Sequence, residues 1–304
     1  MFTLLRDQTL KELTVHGNKI FPYEIYFGGI SMWENGYMDW HWHDQFEINL
    51  VTSGTLTYFI ENERYFLQEG EAVFINAGRL HHSYSQDQAQ YSHTIVFGSE
   101  LFCEDNSCEF YHSAIQPLIQ STRNGIHLTK EHRWMQSVLS HLHALYAKYE
   151  QRPFGYEVDI KGYLCLIFAE ILQNTSHSQQ PTQLETEKMK RMRKILSYIS
   201  QNYQNNFSLS DLSAEVNLSE SECSRFFSQQ MQKPLFAFIN QYRIERSCEM
   251  LSNTDLPVSE IATRTGFNSF SYYSRKFREF LHCTPSEYRQ KIQAALDTDK
   301  PRRW

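Results

Sequence analysis

Residues 257–280 read PVSEIATRTGFNSFSYYSRKFREF: a short helix, a tight turn and a longer helix in one line. Pro257 suits a helix start, where a missing N–H costs nothing. Ala262 is small enough to let two crossing helices approach closely. Gly266 tolerates the positive φ of a tight turn, Ser269 can cap the second helix, and Phe277 is placed to anchor it in a core. The same layout stands about 50 residues earlier, in Ser208-Leu-Ser-Asp-Leu-Ser213, Val216-Asn217-Leu218-Ser219 and Arg225-Phe226-Phe227, a repeat spacing that marks tandem units. The pair predicts two helix-turn-helix units, about 208–230 and 258–280, whose second helices enter the major groove of double-stranded DNA. Between them Leu235–Leu251 predicts one amphipathic helix of ~26 Å. With packing at both ends, that length sets two recognition helices about one DNA turn (~34 Å) apart.

Charge supports a polyanionic partner for this half alone. From Glu187 onward the chain holds 18 Lys+Arg and 13 Asp+Glu, a net of +5, while the preceding 186 residues net −11. Such asymmetry points one end at nucleic acid and not the other. The basic run Lys188, Lys190, Arg191, Arg193 and Lys194 fits phosphate contact and a solvated helix face equally well.

At 304 residues, two domains are expected, and 41% apolar with 21% charged residues is the composition of a globular protein with a substantial core. No run approaches the ~18 apolar residues of a membrane span, and Met1–Asp7 lacks the layout of a signal peptide. A cytoplasmic protein with no membrane partner is expected. Its six cysteines show no CxxC pairing; Cys103 and Cys108 are near enough to bridge, but reduced thiols are the expectation.

Residues 25–97 read as short strands punctuated by Gly36, Gly54, Gly70 and Gly78, among them Glu47–Val51, Leu56–Ile60 and Ala72–Ile75, a pattern of barrel or sandwich. Helical periodicity follows at Lys130–Tyr149 and Val158–Leu172, then a polar, aperiodic stretch, QNTSHSQQPTQLETE, that reads as a linker. The expected domains are 1–174 and 188–296, joined by a linker at 175–187. Within the first lie Gly36-x4-His41-x-His43-x3-Glu47-x6-Gly54 and Gly70-x5-Asn76-x-Gly78-x2-His81. His41, His43, Glu47 and His81 suit a divalent transition metal, hydrogen bonds to a small polar molecule, or satisfied polar positions in a core. Trp33, Trp40, Trp42, Tyr58 and Phe74 can line a pocket or fill the core.

Residues 257–280, with Thr284-Pro285-Ser286-Glu287-Tyr288-Arg289 behind them, resemble the signature of the AraC/XylS family of transcription regulators; Arg278 replaces a usual Lys and His282 a usual Gly. The resemblance is strong over ~190–292 and looser before it. The two glycine–histidine stretches resemble the two cupin motifs, with Asn76 in place of the usual Pro. Together these imply a two-domain α+β chain: an N-terminal cupin-like β-barrel with flanking helices and a C-terminal all-α double helix-turn-helix domain. Alignment to the family puts base-facing side chains at Ser221, Ser224 and Arg225 in the first unit and at Phe270, Ser271, Ser274 and Arg275 in the second. Each Arg suits a guanine edge, a phosphate or an intradomain ion pair. Glu220 and Glu222 depart from the pattern: they favour the helix dipole but oppose phosphate approach, which fits either acceptance from cytosine N4 or a weakly bound first helix.

The resemblance further implies a regulator, activator or repressor, whose effector, with carbohydrate the frequent class, is bound by His41, His43, Glu47, His81, Trp33 and Tyr58. RNA polymerase is the implied protein partner, and the helices at 130–149 and 158–172 would form a homodimer or pack within one chain. No cofactor, metal or catalytic residue is expected. The alternative is a metal-dependent cupin enzyme fused to a DNA-binding domain, its metal held by His41, His43, Glu47 and His81.

Overall fold

Every residue from Phe46 to Val51 is buried along the strand Phe46–Ser53, and side-chain alternation explains how. Phe46, Ile48 and Leu50 point into an apolar core shared with two long helices, leaving Glu47, Asn49 and Val51 to face the other way. A strand covered on both sides loses the apolar–polar alternation of a half-exposed one. The computed structural model describes residues 4–290 apart from Gln8, 34–36, Gln88, 104–106, 176–182, Gln232 and His282. Its contacts divide the chain into two units, Met1–Lys188 and Met189–Trp304.

The first unit contains strands β1 (Tyr23–Gly28), β2 (Tyr37–His41), β3 (Phe46–Ser53), β4 (Thr55–Ile60), β5 (Glu63–Gln68), β6 (Ala72–Ile75), β7 (His81–Tyr84), β8 (Tyr91–Phe97) and β9 (Gly125–Leu128). They form two antiparallel sheets, β1-β8-β3-β6-β9 and β2-β7-β4-β5. Val51, Leu56, Tyr58, Ile60, Leu67, Val73 and Ile75 pack together between them. After a short α1 (Gln116–Gln120) come α2 (Arg133–Gln151) and α3 (Tyr156–Thr175). These two helices cover the other face of the larger sheet: Phe168 of α3 lies 5.2 Å from Phe46 and 4.2 Å from Phe102, centroid to centroid. Cys103 and Cys108 are paired in a disulfide, with Cα atoms 6.4 Å apart, which corrects the expectation of reduced thiols. The closeness of the pair along the chain was legible; its oxidation state was not.

Among the described residues, the regular elements from α4 onward are all helices: α4 (Gln183–Asn202), which runs from the end of the first unit into the second, α5 (Leu209–Glu215), α6 (Glu220–Met231), α7 (Leu235–Asn253), α8 (Val258–Arg264) and α9 (Phe270–Leu281). α4 begins inside the stretch expected to be linker, so residues 183–187 are helix; residues 176–182 lie outside the described chain. Leu184, Glu185, Glu187, Lys188 and Met189 are all strong helix formers, a local preference that the lack of apolar periodicity concealed.

Asn217, at φ 53°, and Gly266, at φ 85°, take left-handed conformations in the two turns. At Gly266 a Cβ would run into the Tyr203 carbonyl oxygen and the Arg243 guanidinium. Arg243 itself donates to the Tyr203 and Asn205 carbonyls, so this turn is fixed from outside as well as by its own backbone. Phe227 and Phe277 are fully buried and anchor the second helix of each unit.

Candidate functional site

The segment from Arg6 to Glu12 is bonded to β2, the edge strand of the smaller sheet, and to Trp42 just beyond it. Arg6 bonds to the Trp40 carbonyl and to Asp39. The Glu12 amide donates to the Trp42 carbonyl, and Trp42 returns hydrogen bonds from its amide to Leu10 and from its indole to Thr9. Pinned this way, the segment carries Glu12 and His16 into the first unit's interior, where both help to line a cavity of about 410 Å³.

The cavity has two kinds of wall. Ile25, Phe27, Ile30, Trp33, Met38, Leu56 and Val96 are apolar, while Glu12, His16, His41, Glu47, Asn49, Tyr58 and Gln90 are polar. Two amide atoms on it, Asn49 Oδ1 and Gln90 Nε2, are buried without a hydrogen-bond partner. Their other amide atoms are engaged: Asn49 donates to Ser92 and Thr94, and Gln90 accepts from the Ile30 amide. A buried amide left half-satisfied costs roughly 1–3 kcal/mol, which an occupant offering one donor and one acceptor would recover.

At one side of the cavity four groups converge. His41 ends β2, His81 begins the adjacent β7, and their Cα atoms are register partners. Glu47 comes from β3 in the opposite sheet, and His43 from the connection between β2 and β3. One ligand-capable atom from each lies within 4.8 Å of the others. His43 Nε2 and His81 Nε2 stand 3.2 and 3.4 Å from Glu47 Oε2, while Tyr58 donates to Glu47 Oε1 at 3.0 Å. Glu12 is close by, 3.4 Å from His16 Nε2 and 3.9 Å from His41 Nε2.

The electrostatics follow from burial and from these partners. Burial pushes the Glu47 carboxyl up, but hydrogen bonds and charge from His43 and His81 overcome it and hold Glu47 well below the usual carboxylate range. Burial likewise raises Glu12, and His16 and His41 bring it down to about 2. Burial and then the neighbouring His81 push His41 down to about 3. For His81 burial acts downward, yet the Glu47 carboxylate raises it above its ordinary value. The Tyr58 hydroxyl is pushed up by burial and by Glu47.

Of the six residues expected to bind an effector, Trp33, His41, Glu47 and Tyr58 line the cavity; His43 and His81 join the cluster beside them. Among the other aromatics, Trp40 is buried 4.2 Å from His82, Phe74 lies in the helix-side core, and Trp42 bonds to Thr9. Gly36, which opens the first motif, lies outside the described residues. Sequence reasoning missed Glu12, His16, Asn49 and Gln90. Alternation along β3 was the one available signal, since it puts Asn49 on the face of Glu47.

The second candidate surface is formed by α6 and α9. Ser221 and Arg225 are exposed and Ser224 half-buried on α6; Phe270, Ser271 and Arg275 are exposed and Ser274 half-buried on α9. Phe270, Ser271, Ser274, Arg275, Arg278 and Glu279 border one shallow depression, and the Arg275 guanidinium lies 5.2 Å from the Tyr272 ring centre. Glu222 is occupied locally: it accepts from the Ser219 amide and hydroxyl, while the Glu222 amide donates to Ser219 Oγ. This is a capping box, so one of the two acids that looked opposed to DNA is committed to the helix end.

Two antiparallel sheets carrying a lined cavity, followed by paired helix-turn-helix units with exposed polar and basic second helices, define a ligand-binding DNA-binding regulator. Residues 27–154 match the AraC-like ligand binding domain family, and residues 212–291 match a helix-turn-helix domain family. The chain is similar to the uncharacterized HTH-type transcriptional regulator YdeC of Bacillus subtilis, with 30% identity across 93% of this chain and 97% of YdeC. It is also similar to the HTH-type transcriptional activator RhaR of Mannheimia succiniciproducens, at 23% identity over 83% of this chain and 87% of that one. A crystal structure of apo ToxT from Vibrio cholerae aligns over 92% of this chain and all of its own, at 15% identity and a TM-score of 0.44. The chain belongs to the AraC family of transcription regulators.

Proposed function

We propose that this regulator takes a small polar effector into the cavity of its first unit and responds as a homodimer that reads repeated half-sites on double-stranded DNA. The carrying observation is the cavity itself: about 410 Å³ inside the ligand-binding domain, with Asn49 Oδ1 and Gln90 Nε2 left for an occupant to satisfy. That volume suits a small metabolite. Trp33 and Tyr58 offer ring faces, and Glu12, Glu47, Asn49 and Gln90 offer hydrogen bonds, a mixture that fits a sugar or similar polyol. In the dimer, α3 is the candidate contact, since Val158, Gly162, Cys165 and Leu166 are exposed along one side of it. Binding changes transcription by favouring one dimer arrangement over another, with RNA polymerase as the protein partner and activation as the direction that similarity to RhaR supports. The protein is cytoplasmic on this reading; none of the described helices is long and apolar enough to cross a membrane.

DNA is read by Ser221, Ser224 and Arg225 of α6 and by Phe270, Ser271, Ser274 and Arg275 of α9. A mobility-shift assay on the DNA upstream of the protein's own gene tests this, with the Arg225→Ala, Arg275→Ala double variant as control. Specific binding by the wild type and its loss in the variant are expected; undiminished binding by the variant refutes the residue assignment. A thermal-shift screen of sugars and polyols tests the cavity, because a ligand of the native state raises apparent stability. A stabilising sugar whose effect survives both Trp33→Ala and Asn49→Ala does not bind here.

A further inference from the structure

The second helices of the two helix-turn-helix units share one frame, Ser219-x2-Glu222-x2-Arg225 and Ser269-x2-Tyr272-x2-Arg275. In each the serine accepts from the amide three places on, and the arginine is exposed. The middle position is the one that differs. Helical side chains lean back toward the N-terminus, so a residue three places on lies over the one before it. Each arginine therefore meets its middle residue. In the first helix that residue is a carboxylate: Glu222 accepts from Ser219, and after those hydrogen bonds the charges of Arg225 and Arg191 also favour its ionised form. In the second it is a ring, with the Arg275 guanidinium 5.2 Å from the Tyr272 centre.

The two neighbours treat an arginine differently. A carboxylate offsets its charge and competes for its N–H groups, whereas a ring attracts the cation and takes none of its five donors. Among the described residues Arg275 has no hydrogen-bond or ion-pair partner, and the nearby Glu279 is held by Lys276 at 2.8 Å. The ring beneath it is itself fixed. Tyr272 is half-buried, Asn240 of α7 donates to its hydroxyl at 3.0 Å, and Phe267 in the turn before α9 lies 6.2 Å away, centre to centre. We propose that Tyr272 is a positioning residue for Arg275, restraining it with its donors free for a guanine edge, and that Asn240 holds Tyr272 in place for that purpose. This rests on the reading that Arg275 meets DNA.

A side chain already narrowed in conformation loses less freedom on binding. Reading guanine requires two donors to be held against O6 and N7 together, so the restraint acts on discrimination. Unrelated DNA is bound through phosphates, which accept a donor from many directions, and gains little from it. The first unit lacks this device, because the position that would carry the ring is committed to the Ser219 cap. Tyr272 thus makes the second unit the discriminating one.

The test is a double-mutant cycle on the full chain. The wild type, Tyr272→Leu, Arg275→Ala and the double variant are titrated with a fragment of the DNA upstream of the protein's own gene and with a scrambled fragment, and thermal melting checks folding. Tyr272→Leu should weaken specific binding about 5-fold, the effect of a cation held over a ring, and scrambled binding less than about 2-fold. On the Arg275→Ala background the same substitution should change nothing measurable. Asn240→Ala, which leaves α9 untouched, should cost about 3-fold with Arg275 present and nothing without it. It decides the matter alone if Tyr272→Leu does not fold. Equal losses on both backgrounds mean that these residues act only on stability, and they overturn the proposal; so does full specific affinity in both variants. If Arg275→Ala itself costs nothing, the reading of Arg275 as a DNA contact fails and the proposal falls with it, whereas loss in Arg275→Ala without coupling to Tyr272 or Asn240 refutes the proposal alone.

Discussion

The two helix-turn-helix units reach one architecture with different chemistry. In the first, α5 starts from a reciprocal box between Ser208 and Asp211, and α6 from a second box between Ser219 and Glu222. In the second, α8 starts from Pro257, and at α9 Ser269 accepts from the Tyr272 amide without an acid to return the bond. The first turn uses an asparagine, the second a glycine with no space above it. Basic residues follow the same division. Glu220 and Glu222 open α6, with Arg225 behind them, whereas α9 presents Arg275, Lys276 and Arg278. The first unit holds its helix ends with carboxylates, which puts negative charge at the start of its second helix; the second unit starts that helix without acids and relies on tertiary packing for its shape.

The sharpest way to break this contrast is at the turns. Gly266→Val should destabilise the second unit by about 3 kcal/mol, through its left-handed backbone and the obstruction at Tyr203. Asn217→Gly should change the first unit by less than about 1 kcal/mol. Hydrogen exchange of the full chain reads both; equal effects would mean the turns are alike after all.

DNA affinity comes next. Arg275→Ala should lower affinity for the operator about 10- to 100-fold, the worth of one good base-edge contact. Arg225→Ala should cost less than about 5-fold, since part of its charge is already offset by Glu222. A titration in which Arg225 matters more reverses the assignment of the anchoring unit.

At the caps, Ser219→Ala should cost about 1 kcal/mol and Ser269→Ala about half of that, because only the first loses a reciprocal bond. Acid provides an independent check. Hydrogen bonds from Ser208 and Ser219 hold Asp211 and Glu222 below their ordinary values. A carboxylate lowered by folding stabilises above its unfolded pKa, and that help is lost as pH falls through the folded one. Amide protection in α5 and α6 should therefore fade on acidification before that in α8 and α9. The smallest effect belongs to Glu220→Gln, which should raise DNA affinity about 2-fold at low salt and nothing measurable at high salt.

Local patterns carried most of the regulator's plan. Ser208, Ser219, Asn217, Gly266, Phe227 and Phe277 each announce a cap, a turn or an anchor within a dozen residues, and the structure uses each in that way. The His-x-His-x3-Glu spacing likewise led to a buried cluster, since β3 and the neighbouring strand ends set those positions. What stayed hidden is long-range. Glu12 and His16 enter the cavity because Arg6 and Trp42 pin a segment that shows no periodicity of its own. Gln90 sits in a loop, and its place opposite Ile30 depends on a hydrogen bond spanning 60 residues. Glu222 shows the limit of charge counting: its place at the helix start is legible, but the reciprocal bonds to Ser219 are visible only in the structure.

The alternation along β3 has a consequence for how such a regulator can diversify. Phe46, Ile48 and Leu50 answer to the helices, and Glu47, Asn49 and Val51 answer to the interior, so two sets of instructions are interleaved letter by letter in one short word. Descendants can rewrite every second letter and acquire a new chemical sense while the scaffold stays legible. Inserting a single letter would exchange the two messages and erase both.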